Sequence, residues 1–90
     1  MATVRIPTQM RGLVGDASSV EVEGDTVGEV LRGLAEAHEP IAGRLFEPDG
    51  RVRRFVNVFL EGEDIRFADG LDTKVAPGQT ISLLPAVAGG

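Results

Sequence analysis

The stretch GDTVGEVLRGLAEAH, Gly24–His38, decides the fold. Asp25 or Thr26 caps a helix here, and Thr26 with Glu29 has the spacing of a capping box. Val27, Val30, Leu31 and Leu34 recur at i, i+3, i+4 and i+7, which draws one apolar stripe along that helix. Gly28 and Gly33 each cost it about 1 kcal/mol against alanine. Packing rather than propensity must therefore hold it. Pro40 stops it, and IAGRLF, Ile41–Phe46, adds a short helical turn with Ile41 and Leu45 tucked under a sheet.

Strand patterns lie on both sides of the helix. TVRI, Thr3–Ile6, and SVEVE, Ser19–Glu23, alternate polar and apolar, with Val4, Ile6, Val20 and Val22 inward. RGLVGDAS between them predicts a loose hairpin loop. After the helix, RFVNVFL, Arg54–Leu60, puts Val56, Val58 and Leu60 on one face and Phe55, Asn57 and Phe59 on the other. EGED turns it into a short strand IRF, Ile65–Phe67. DGLDTKVAPGQ is loop, and TISLL, Thr80–Leu84, is the last strand, with Pro85 breaking it.

The order is β-β-α-β-β. One helix must cover one face of a sheet built from hairpins on either side of it. The first and last strands then lie parallel at the centre, joined by a right-handed crossover through the helix. This is an α+β fold of the ubiquitin-like β-grasp kind, with a mixed four- or five-stranded sheet and one main helix on one face. The predicted core is Val4, Ile6, Val20, Val22, Val30, Leu31, Leu34, Val56, Val58, Leu60, Ile81 and Leu83. Residues 1–85 form one domain, and 86–90 a flexible tail.

Composition excludes several functions. The net charge of −5 argues against binding a nucleic-acid backbone. There is no cysteine, so neither a disulfide, a thiolate metal site nor a thiol nucleophile exists. No stretch reaches the length of a membrane span, and the N-terminus lacks the apolar region of a signal peptide; a cytoplasmic location is expected. His38, the sole histidine, sits at a helix end, with no serine placed to form a triad with it. The turn carboxylates Asp25, Glu63, Asp64, Asp69 and Asp72 lack the spacing of a calcium loop, so no metal site is expected. An active site of the chain's own is not expected. RVRRF, Arg51–Phe55, is a small basic cluster that reads as a solvated loop or a docking contact.

Two features point outward instead. Phe55, Phe59 and Leu84 fall on the sheet face away from the helix, where no further element remains to cover them, so they form a candidate protein-binding surface. Beyond Pro85 the chain reads AVAGG. Ala86, Val87, Ala88 and Gly89 carry neither bulk nor side-chain charge, and glycine accepts any φ/ψ that a narrow channel demands. The one reactive group then left is the α-carboxylate of Gly90. A partner enzyme could adenylate it.

FVNVFLEGEDIRF, APGQTISLLPAVAGG and the final Gly89-Gly90, on this order of elements, resemble the MoaD/ThiS family of ubiquitin-like sulfur carriers over essentially the whole chain. The resemblance implies that an E1/MoeB-like enzyme uses ATP to adenylate Gly90 and that sulfur then replaces AMP, giving a thiocarboxylate. It implies a non-catalytic co-substrate with no bound cofactor. The sulfur-accepting enzyme would be a pyridoxal-phosphate (PLP) cysteine synthase, with release by a JAMM-type zinc metallopeptidase, or an enzyme of a thiolated secondary metabolite. Two other roles stay open: a ubiquitin-like protein modifier, for which the lone Lys74 offers little chance of self-linked chains, and the small subunit of molybdopterin synthase. With Gly90 last, no maturation cleavage is expected.

Overall fold

The computed structural model describes residues 1–85; Ala86–Gly90 lie outside the described residues. The elements are β1 (Ala2–Arg5), a 3-10 helix (Thr8–Val14), β2 (Ser19–Val22), α1 (Val27–Ala37), α2 (Glu39–Leu45), β3 (Val56–Leu60), β4 (Glu63–Asp64), 3-10 turns at Ile65–Phe67 and Gly70–Asp72, and β5 (Thr80–Pro85). The sheet order is β2-β1-β5-β3-β4. β1 and β5 run parallel at the centre, with Val4 beside Ile81, and every other pairing is antiparallel. This is the β-grasp.

α1 begins as its sequence requires. The Thr26 hydroxyl accepts from the Glu29 N–H at 3.2 Å, satisfying an orphan donor of the first turn, while the Glu29 carboxylate accepts from the N–H of Asp25, just before the cap, at 3.2 Å. The segment Thr73–Val75 straps the same end. The Val27 N–H donates to the Thr73 carbonyl and the Val75 N–H to the Asp25 carbonyl. Val27, Val30, Leu31 and Leu34 are fully buried.

The helix glycines now have a reason. A Cβ on Gly33 would stand 2.8 Å from Cγ1 of Val22 on β2, and one on Gly28 would stand 3.1 Å from the Leu71 carbonyl oxygen. The propensity lost at both positions allows close approach to the sheet and to the 3-10 turn Gly70–Asp72.

The core contains the predicted set, with Val20 and Leu60 only partly buried at its margin. It is larger than predicted. Met10, Val14, Ile65 and Val75 are buried in it as well, and Ile41 and Leu45 of α2 are buried as expected. The supposed loose loop between β1 and β2 is the 3-10 helix that delivers Met10 and Val14. Pro40 stands in the first turn of α2, where its missing N–H removes nothing, so it starts one helix as well as stopping another.

Three strand expectations are corrected. Arg54 and Phe55 lie in a turn closed by the Val56 N–H donating to the Arg53 carbonyl at 3.0 Å, so β3 begins at Val56. Ile65–Phe67 is a 3-10 turn, because Ile65 must turn into the core, and β4 keeps only Glu63 and Asp64. The β3–β4 connection Glu61-Gly62 has positive φ at both residues (50° and 87°), as a two-residue type I′ hairpin needs. Pro85 does not break β5; it pairs with Val56. The Glu61 N–H donates to the Thr80 carbonyl at 3.0 Å, which sets the hydrogen-bonded pairs at 59 with 82 and 57 with 84. Val56 and Pro85 form a non-hydrogen-bonded pair, so the ladder loses no donor there.

Candidate functional site

β5 organises the site. Ile81 and Leu83 are buried beneath the helices, so Ser82 and Leu84 face the other way by strand alternation. Leu84 is 50% exposed, high for a leucine in a central strand. It opens, with Pro85, onto a groove of about 730 Å³ across the outer sheet face. Thr3 and Arg5 of β1, Thr80 and Ser82 of β5, and Thr8, Gln9 and Arg11 of the 3-10 helix line the same groove. Hydroxyls and guanidinium groups share its walls with Ile6, Pro7, Leu83, Leu84 and Pro85.

A second groove, of about 400 Å³, lies on the other side of Pro85. Met10, Gly43, Arg44, Arg53, Phe55 and Val56 line it with Pro85. Phe55 is 61% exposed at the turn before β3. The Arg53 guanidinium is fixed beside it: Nε donates to the Gly43 carbonyl at 2.6 Å, and NH1 stands 3.6 Å from the Glu47 carboxylate.

Three apolar residues expected on one patch are thus distributed. Leu84 belongs to the outer-face groove and Phe55 to the second, and Pro85 lines both. Phe59 is half-buried, opposite Ser82 and Asp64. Near it Arg66 pairs with Asp64 at 2.7 Å and donates to the Asn57 side chain at 3.3 Å, making that edge polar. Hydrogen bonds from Arg66 hold the Asp64 carboxyl below the usual aspartate range and raise the guanidinium. Reading the residues missed Phe67, which is 90% exposed; only its departure from strand geometry reveals it. Arg44 was also missed, since α2 was read as a single turn.

His38 is half-buried at the junction of α1 and α2, where its N–H donates to the Leu34 carbonyl and its carbonyl accepts from Ile41. Among the described residues, no group of histidine and carboxylate side chains is placed to hold a metal ion. Nor is any described helix long and apolar enough to cross a membrane. Ala86, Val87, Ala88, Gly89 and Gly90, the tail residues expected to enter a partner, lie outside the described residues.

A β-grasp of five strands with α1 and α2, whose last strand surfaces between two grooves, has the architecture of a small ubiquitin-like protein. The chain belongs to the ThiS family, which it matches over residues 4–90. It is 44% identical over 90 residues to the sulfur carrier protein CysO of Mycobacterium tuberculosis, an alignment covering 98% of this chain and 97% of that protein. It is 40% identical over 89 residues to small archaeal modifier protein 3 of Haloferax volcanii, covering 97% and 96%. Among solved structures, it superimposes on a chain of the Amycolatopsis orientalis BexX/CysO complex with a TM-score of 0.91 at 42% identity, covering all of both chains. Mycobacterium tuberculosis CysO gives 0.89 at 42% identity, covering 97% of this chain and 100% of that one. Over nearly its whole length, then, this member of the ThiS family is similar to CysO sulfur carrier proteins.

Proposed function

We propose that the carboxylate of Gly90 is the sulfur-bearing group. The observation that carries this reading is Gly89-Gly90 itself, inside a family match that runs through residue 90. In the first step a carboxylate oxygen attacks the α-phosphorus of ATP and pyrophosphate leaves, giving an acyl-adenylate. Sulfide-level sulfur, as hydrosulfide, then attacks the acyl carbon; a C–S bond forms, the C–O bond to AMP breaks, AMP leaves, and loss of the S–H proton gives the thiocarboxylate. Adenylation supplies the leaving group that a carboxylate lacks. An E1/MoeB-like partner performs both steps, in the cytoplasm. The chain itself supplies no catalytic group.

Cysteine biosynthesis is the favoured destination, because the CysO relatives align over nearly their whole length. The thiocarboxylate would there meet a PLP-dependent cysteine synthase, and a JAMM-type metallopeptidase would release the product. Intact mass after incubation with ATP, a sulfur donor and the cognate activating enzyme tests the reading. Exchange of one oxygen for sulfur at the acyl group adds about 16 Da. No such gain with any activating enzyme would sink it. Attachment to protein lysines is the second reading, favoured by the likeness to small archaeal modifier protein 3; higher-mass conjugates in the same assay would reveal it.

Partner docking is assigned to Phe55, Phe59 and Leu84, continuing through Val87. That the structural relative from Amycolatopsis orientalis is held in a complex with BexX supports a docked mode of action. Interface energy concentrates in a few apolar anchors, so Leu84→Ala should weaken activation by more than about 1 kcal/mol, roughly a fivefold loss in kcat/KM. Leu84 is half exposed, so the melting temperature should hold. Unchanged kcat/KM would move docking elsewhere. Phe59 makes a poorer probe than the sequence suggests, since its partial burial mixes docking with stability.

A further inference from the structure

The charges of this protein are not spread evenly. Carboxylates outnumber cations fourteen to nine, yet no carboxylate lines either groove beside Pro85. Arginines line both: Arg5 and Arg11 in the outer-face groove, Arg44 and Arg53 in the other. Tertiary structure brings them there from four segments. Arg5 ends β1, which runs parallel to β5, so it stands beside Ser82. Arg11 folds back to donate from Nε to the Ile6 carbonyl at 3.0 Å. Arg44 closes α2, and Arg53 precedes the turn into β3.

Glu47, 3.6 Å from Arg53, is the one carboxylate ion-paired with these four among the described residues. Arg5 and Arg44 are exposed and make no ion pair among the described residues. A net-negative protein therefore presents positive charge in both grooves that meet at Pro85, the end of its last strand.

We infer that Arg5, Arg11, Arg44 and Arg53 form a cationic collar that seats on an acidic rim around the tail-accepting channel of the partner enzyme; this rests on the carrier reading above. Charge complementarity selects the occupant. Nucleic acid would be repelled by the rest of the surface. The nucleotide of the activating enzyme must reach Gly90, five residues beyond Pro85, a span of up to about 17 Å. The collar stands at the root of that span, so it meets protein at the channel mouth. Such charge acts first on encounter, and focused charge raises association rates by about tenfold to a thousandfold at low salt.

The test uses the full chain and its cognate activating enzyme. Arg5→Gln/Arg44→Gln removes one exposed charge from each groove. Arg32→Gln removes one from the exposed side of α1, outside both grooves, as control. At about 20 mM salt the double variant should lose at least about tenfold in kcat/KM, with the difference shrinking at about 300 mM as screening sets in. Arg32→Gln should stay within about twofold of wild type, as expected where no focused field is lost. An equal loss per charge removed in the double variant and in the control, or a loss that salt does not diminish, would overturn the collar. If wild type gains no sulfur at all, the carrier reading has failed, and the collar is judged by calorimetric binding to the same enzyme without ATP. Binding weakened by the double variant but not by Arg32→Gln sustains it. Undetectable binding, or binding insensitive to the double substitution, overturns it.

Discussion

Deleting Gly90 is expected to abolish thiocarboxylate formation while leaving the melting temperature of the wild type. An extended residue spans about 3.5 Å, so the acyl carbon would stop that far short of the activating nucleotide. Misplacement by about 1 Å can already cost on the order of a hundredfold in rate. The loss should therefore exceed about a hundredfold, and mass spectrometry should show no gain of sulfur. Gly89→Val should fail for a different reason. A β-branched side chain restricts φ and ψ and adds bulk where a narrow channel admits only backbone. All of the buried core identified lies between Ala2 and Leu83, so neither change touches it. Sulfur transfer at a comparable rate to the deletion variant would mean that Gly90 is not the reactive end.

The second large effect concerns the fold. Leu34→Ala should cost about 2–5 kcal/mol, through lost transfer free energy and the cavity left behind. Domains of this kind hold only about 5–15 kcal/mol in all. A shift of about 4–8 °C per kcal/mol for a domain of this size puts the drop in melting temperature at about 8 °C or more. Leu34 is fully buried at the last turn of the α1 stripe, and its carbonyl takes the His38 N–H that ends the helix. The helix cannot tilt to fill the hole, because Gly33 already sits against Val22. Melting unchanged from wild type would contradict that packing.

These two predictions draw on different kinds of information. Leu34, the capping box at Thr26 and Glu29, and the inward faces of β1, β3 and β5 were legible by themselves. Helix and strand periodicities are local, and the order of elements leaves few topologies that bury their apolar faces. The role proposed for Gly89-Gly90 rests on sequence alone, since residues 86–90 lie outside the described residues.

The margins were decided elsewhere. Thr8–Val14 carries two glycines' worth of loop signal when its neighbours are counted, and only α2 and the sheet edge give Met10 and Val14 somewhere to be buried. Arg54 and Phe55 continue the alternation of β3, yet the Arg53 carbonyl captures the Val56 N–H and turns them away from the ladder. Ile65 looked like a strand residue until the core claimed it. The arrangement around Pro85 was least legible of all. Arg5 and Arg11, Arg44, the Arg53–Phe55 pair and Leu84 come from separate stretches of the chain, and no periodicity links those stretches. The sequence by itself determined which residues form the main helix and which strand faces turn inward. Only the tertiary structure decided what surrounds the root of the tail, because that neighbourhood is built from contacts between segments whose separation along the chain carries no local signal.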